Sequence, residues 1–114
     1  MNEATVYRVQ RDDGSGPYRG CELDYAAIHD NSDVAAFHPA PWEDGIEPSE
    51  SDYFAFASLD DLCAWFNERE RAFLAQRGFA VAVYRVATHL VRRGQCQCVF
   101  CKSQATLERV EALA

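Results

Sequence analysis

Between residues 20 and 68 this 114-residue chain has no lysine and no arginine. The same stretch holds twelve Asp or Glu, so it carries −12 while the flanks carry +5. Such segregation puts a strong negative field on one surface, which bears on partner choice, solubility and association rate rather than on fold. Long apolar runs are absent too. None approaches the roughly 20 residues that span a bilayer, so no membrane segment is expected. Met1-Asn2-Glu3-Ala4 lacks the basic and apolar character of a secretory signal, and the expected location is cytoplasmic. A net charge of −7 argues against general binding to nucleic acid or anionic lipid. His29, His38 and His89 stand apart, with no nucleophile beside any of them. Gly14-Ser15-Gly16 lacks the lysine and following helix of a phosphate-binding loop and reads as a turn.

What is present suits a folded globule. Hydrophobic residues make up 48% and aromatics 12% of the chain, well above the content of a disordered acidic tail. The length allows one domain over residues 1–114. Ala4 to Gln10 reads as a strand through Val6, Tyr7 and Val9, ended by turn residues from Arg11 to Pro17. Residues 18–30 fit a short helix or a strand. Residues 31–52 form a long irregular loop, because Pro39, Pro41 and Pro48 fall within ten residues. Tyr53 to Ala57 reads as a short aromatic strand. Ser58 then caps a helix over 58–77, with Asp60 and Asp61 in its first turn. Its inward stripe is Leu59, Leu62, Cys63, Phe66, Phe73 and Leu74, and Gly78 stops it. Phe79 to Ala87 is apolar on both faces, as a central strand is. Thr88 to Gly94 turns, Gln95 to Cys101 is a strand, and Ser103 caps a second helix over 103–113. These elements predict an α+β fold: one small domain with a mainly antiparallel sheet of about four strands and two main helices.

The five cysteines are odd in number and accompany no export signal, so a disulfide framework is not expected. Cys98 and Cys101 have the spacing of a zinc pair. In a single strand they would point to opposite faces, and no second Cys or His pair completes a set. No metal site is predicted; Cys63, Cys96 and Cys98 are read as buried thiols.

Three positions nevertheless fall in a familiar order. Arg8 lies mid-way along the first strand, Ser58 ends an aromatic strand, and Gln95 and Gln97 lie two apart on a late strand. This order resembles the ADP-ribosyltransferase fold in its arginine–serine–glutamate form. The resemblance implies NAD as cofactor, with Arg8 against the dinucleotide phosphates and Ser58 behind the nicotinamide ribose. It puts Gln97 at the position of the catalytic carboxylate. Gln97 carries no charge, so the resemblance implies binding without full turnover. Read without the resemblance, Gln95 and Gln97 are solvent-facing residues of a half-exposed strand.

The acidic stretch supports another reading, with no cofactor. Trp42 and Tyr53 are aromatic anchors flanked by Glu43, Asp44, Glu47, Glu50 and Asp52. A ring supplies buried area while the acids steer a basic partner. In size, charge and lack of motifs the chain resembles phage or prophage accessory proteins, anti-CRISPR proteins among them. That resemblance implies an inhibitor occupying a basic surface of host nucleic-acid machinery. The expected partner is thus a protein, not nucleic acid or membrane.

Overall fold

The computed structural model describes residues 2–17, 45–46 and 52–114. The expectations for residues 18–30 and for nearly all of the loop at 31–52 lie outside the described residues. Six strands, two α-helices and two 3-10 turns make up the rest. In chain order they are β1 (Glu3–Gln10), β2 (Asp52–Ala55), α1 (Leu59–Trp65), α2 (Glu68–Ala75), β3 (Ala80–Ala87), β4 (Val91–Arg93), β5 (Cys98–Cys101) and β6 (Thr106–Glu111). Thr88–Leu90 and Lys102–Gln104 are the 3-10 turns.

All strand pairings are antiparallel and form two three-stranded sheets, β1-β3-β6 and β2-β5-β4. Among the described residues a single isolated bridge joins them: Tyr7 and Phe56 exchange backbone hydrogen bonds of 2.8 Å each way. The α+β class and the antiparallel pairing follow the sequence expectation. β3 is the central strand it was read to be, buried over most of its length.

Strand alternation sorts side chains into two apolar clusters. Toward the helices lie Val9, Phe56, Val81 and Val83, packed with Leu62, Trp65, Phe66 and Leu74. The Phe56 ring sits edge-on to Phe66 at 6.1 Å and tilted against Trp65 at 5.6 Å. On the opposite face lie Val6, Ala55, Ala82, Tyr84, Val86, Cys98 and Phe100. There Tyr84 of one sheet meets Phe100 of the other at 5.3 Å, which draws the two sheets together.

The helix expected over 58–77 is two helices. Ser58 caps the first as predicted, accepting from the Asp61 amide at 3.1 Å. The chain then becomes extended at Phe66 (φ −113°, ψ 111°). Asn67 starts α2 with a reciprocal cap: its side chain accepts from the Glu70 amide, and Glu70 Oε1 accepts from the Asn67 amide, both at 2.8 Å. This capping box outweighs the mid-helix propensity of its neighbours. It also shifts the phase of the inward stripe. Trp65 becomes buried, while Leu59 and Cys63 are exposed rather than inward. Gly78 ends α2 as expected, at φ +88°. The Phe79 amide donates to Leu74 and the Gly78 amide to Ala75, the pair of bonds typical of a glycine-terminated helix.

The helix expected over 103–113 is a strand. Residues 102–104 make one 3-10 turn, and 106–111 pair with β3 as β6. Local propensity there is weak, and the open side of β3 supplies a ladder, so tertiary pairing decides. The strand expected over 95–101 starts only at Cys98. Gly94 donates to the Gln97 carbonyl at 2.8 Å, closing a turn back to β4, where a turn alone was expected.

Candidate functional site

β1 sends Val6, Arg8 and Gln10 to the face away from the helices. Arg8 arrives there only 3% exposed. Its guanidinium donates from Nε to Gln10 Oε1 at 3.1 Å, from Nη1 to the Phe54 carbonyl at 3.0 Å and from Nη2 to the Gly14 carbonyl at 3.3 Å. Gln10 Oε1 also accepts from the Tyr84 hydroxyl at 3.1 Å. All three Arg8 acceptors are neutral. Among the described residues no carboxylate pairs with this cation. Burial therefore pulls the guanidinium pKa down to about 10.

A second cation stands beside it. The Lys102 ammonium lies 4.9 Å from the centre of the Tyr53 ring, and the Arg8 guanidinium carbon lies 4.9 Å from the same centre. The Tyr53 ring thus holds both by cation–π attraction and is itself 42% exposed. Desolvation first, then repulsion from Arg8, lowers the Lys102 pKa. The turn after β1 closes against both cations. A Cβ on Gly16 would stand 2.8 Å from Arg8 Nη2, and one on Gly14 would stand 2.5 Å from Lys102 Nζ. Asp13 fixes that turn, accepting from the Ser15 amide at 2.9 Å and the Ser15 hydroxyl at 2.6 Å. These hydrogen bonds hold the Asp13 carboxyl below its ordinary value.

Chemically, this is two positive groups and an exposed aromatic ring beside a glycine-containing turn. It suits an anion, above all a phosphate, for which an arginine offers a planar fork of donors and a lysine a point charge.

The whole chain, residues 1–114, matches the family described as Bacteriophage T4 Y00F protein. The chain belongs to this phage family. A relative from Enterobacteria phage T4, named "Uncharacterized 19.7 kDa protein in motB-dexA intergenic region", is 46% identical over 56 residues. The match takes in 49% of the chain and 34% of that relative, so the chain spans about a third of the relative's length. No solved structure matches. The phage character expected from size and charge agrees with the family.

The other residues singled out in this family member fall in separate places. Ser58 serves α1 as its cap. Gln97 is 5% exposed, not solvent-facing, while Gln95 is exposed. Continuing the β2–β5 register, in which Ala55 faces Cys98, sets Gln97 opposite Phe56. Phe56 belongs to the helix-covered face, the reverse of the face Arg8 occupies. The hydrogen bonds of Arg8 go to Gln10, Phe54 and Gly14, not to Ser58 or Gln97. Trp42, Glu43, Asp44, Glu47 and Glu50 lie outside the described residues. Asp52 heads β2 with its carboxylate buried against Arg92 of β4, and Tyr53 is in the cation cluster. Among the described residues no group of three or more His, Cys, Asp or Glu could hold a metal, and no helix is long and apolar enough to cross a membrane.

Arg8 and Tyr53 were legible as candidates, though for different functions. Lys102, Gln10 and Tyr84 were missed. One signal was available for Lys102: it is the chain's only lysine. The pairing of Gln10 with Tyr84 depends on the β1–β3 register, which sequence does not show.

Proposed function

We propose that this phage protein is a binding module rather than an enzyme, and that Arg8 and Lys102 hold the phosphate of an anionic ligand such as NAD. The observation that carries the reading is that Arg8 is buried and, among the described residues, its hydrogen-bond acceptors are all neutral. A buried charge costs several kcal/mol unless it is paired and fully hydrogen-bonded. Three of the roughly five guanidinium donors are used among the described residues. A bound phosphate would engage the others and supply the missing negative charge, with Tyr53 available to stack on a planar ring. Catalysis has less support. Gln97 cannot stabilise a cationic centre, and the Ser58 hydroxyl is committed to a helix cap.

Calorimetric titration with NAD and, separately, with inorganic phosphate tests the proposal. Heat of binding is expected with NAD for the natural chain and none for Arg8→Met. At a hundredfold excess over Kd, NAD should stabilise the fold by about 2.7 kcal/mol. No response to millimolar NAD or phosphate would sink the reading.

Charge segregation favours a second reading. Twelve acids without a basic residue over 20–68 suit a protein partner with a basic surface, including host nucleic-acid machinery inhibited in the anti-CRISPR manner. Reversing Glu43, Asp44, Glu47 and Glu50 to Lys should abolish capture of such a partner and remove the salt dependence of its on-rate. Capture that survives the reversal counts against this reading.

A further inference from the structure

Among the described residues β6 is an edge strand. It pairs with β3 on one side, and along its length five of six residues are exposed. Leu107 at 49% and Val110 at 58% are the most exposed large hydrophobic residues among those described. Val83 pairs with Arg109 and Tyr84 with Leu107, so Glu108 is an extra residue in the ladder. This bulge turns Leu107 and Val110 to the same face, opposite Tyr84 and Ala82. Arg109 and Glu111 take the other face, opposite Val83 and Val81.

An uncovered edge offers a row of backbone donors and acceptors to another strand. The charge order of β6 says which strand. Two copies paired antiparallel about a two-fold axis must set one residue against its own copy. An axis at Arg109 opposes two arginines, and an axis at Glu108 or Glu111 opposes two glutamates. Like charges directly opposite are destabilising. An axis at Val110 instead sets Val110 against Val110, and Arg109, which pairs with Glu111 within its own chain, can exchange that partner for Glu111 of the other copy. The β6 sequence is self-complementary in that register. The bulge at Glu108 keeps the pairing short, which limits edge-to-edge growth.

We propose that β6 is a homodimer interface: two copies join their β1-β3-β6 sheets edge to edge, centred on Val110. The partner is a second copy of this chain, selected by the crossed Arg109–Glu111 pairs.

Sedimentation velocity over a concentration series tests it. The natural chain should move from monomer toward dimer as concentration rises. Arg109→Glu alone would face glutamate with glutamate, and Glu111→Arg alone would face arginine with arginine. Each is expected to stay monomeric with an unchanged circular dichroism spectrum. Mixed in equal amounts, the two variants form complementary pairs in both directions and should recover the dimer. Arg109 is exposed and Glu111 partly so, with both side chains reaching the surface, so folding is not at stake. A natural chain that stays monomeric at every concentration overturns the proposal, as does a mixture that stays monomeric.

Discussion

Tyr7 and Val9 leave β1 toward the helices, while Val6, Arg8 and Gln10 leave it toward the opposite face. The first group enters a core of aromatic rings around Phe56 and Trp65. The second group brings a buried cation, an amide and a tyrosine hydroxyl next to a smaller apolar cluster. One strand therefore serves two purposes at adjacent residues. The helix-covered face is organised for stability. The other face carries a buried cation whose acceptors among the described residues are all neutral. The two faces should thus respond differently to substitution.

The largest effect is expected on the helix side. Phe56 is fully buried among Phe54, Trp65 and Phe66, and its backbone also carries the bridge between the sheets. Phe56→Ala should cost about 3–5 kcal/mol, read as a lower urea midpoint. A cost below about 1 kcal/mol would show that the core is looser than its packing implies.

Arg8→Met is the matching change on the other face. It removes a buried charge, which is often neutral or favourable when similar volume replaces it. It also strips a donor from the Phe54 and Gly14 carbonyls, at about 1–3 kcal/mol for each one left unsatisfied. The two effects oppose, so the loss of stability should be smaller than for Phe56→Ala, while phosphate or NAD binding disappears. A loss of stability equal to that of Phe56→Ala would make Arg8 a structural clamp and blur the contrast between the faces.

The break between α1 and α2 gives a smaller effect. Asn67→Ala deletes one half of the capping box and should cost about 1 kcal/mol, seen in the same denaturation experiment. This device was readable in sequence as Asn67 followed by Glu70 three residues on, yet the apolar spacing from Leu59 to Leu74 suggested one helix. Periodicity spread over several turns masks a break when the residue at the break, Phe66, is itself apolar and buried. The ends of elements set by local chemistry were easier to read: the cap at Ser58, the stop at Gly78, the turn after Gln10. β6 was illegible for a different reason. Its state is set by β3, some twenty-five residues earlier in the chain, and local propensity does not carry that information. The candidate site divides in the same way. Arg8 was singled out by its place midway along the first strand, in the arginine–serine–glutamine order that resembles the ADP-ribosyltransferase fold. Lys102 reaches it only because β5 and β2 pair in a particular register.

The subtlest difference between the faces is in alkaline pH. Cys98 lies on the Arg8 face, and burial pushes its thiol from 9.0 up to about 12. An unfolded chain ionises this thiol above 9.0, whereas the folded chain keeps it protonated. Its contribution to stability is therefore complete below 9.0 and is lost as pH rises toward 12. Arg8 runs the other way. Its folded value is about 10, well below the ordinary guanidinium range, so the cost of burying its charge persists below 10 and fades as pH rises above it. Between 9.0 and 10 the thiol responds before Arg8 does. Natural chain and Cys98→Ala should then diverge, with the natural chain losing stability over that interval and the variant holding steadier. Alkylation kinetics report the same contrast: exposed Cys63 should react with iodoacetamide well before Cys98, which is protonated and enclosed. Equal rates for the two would mean that the face carrying Arg8 opens freely to solvent. A buried guanidinium could not then be the feature that distinguishes it from the helix-covered side.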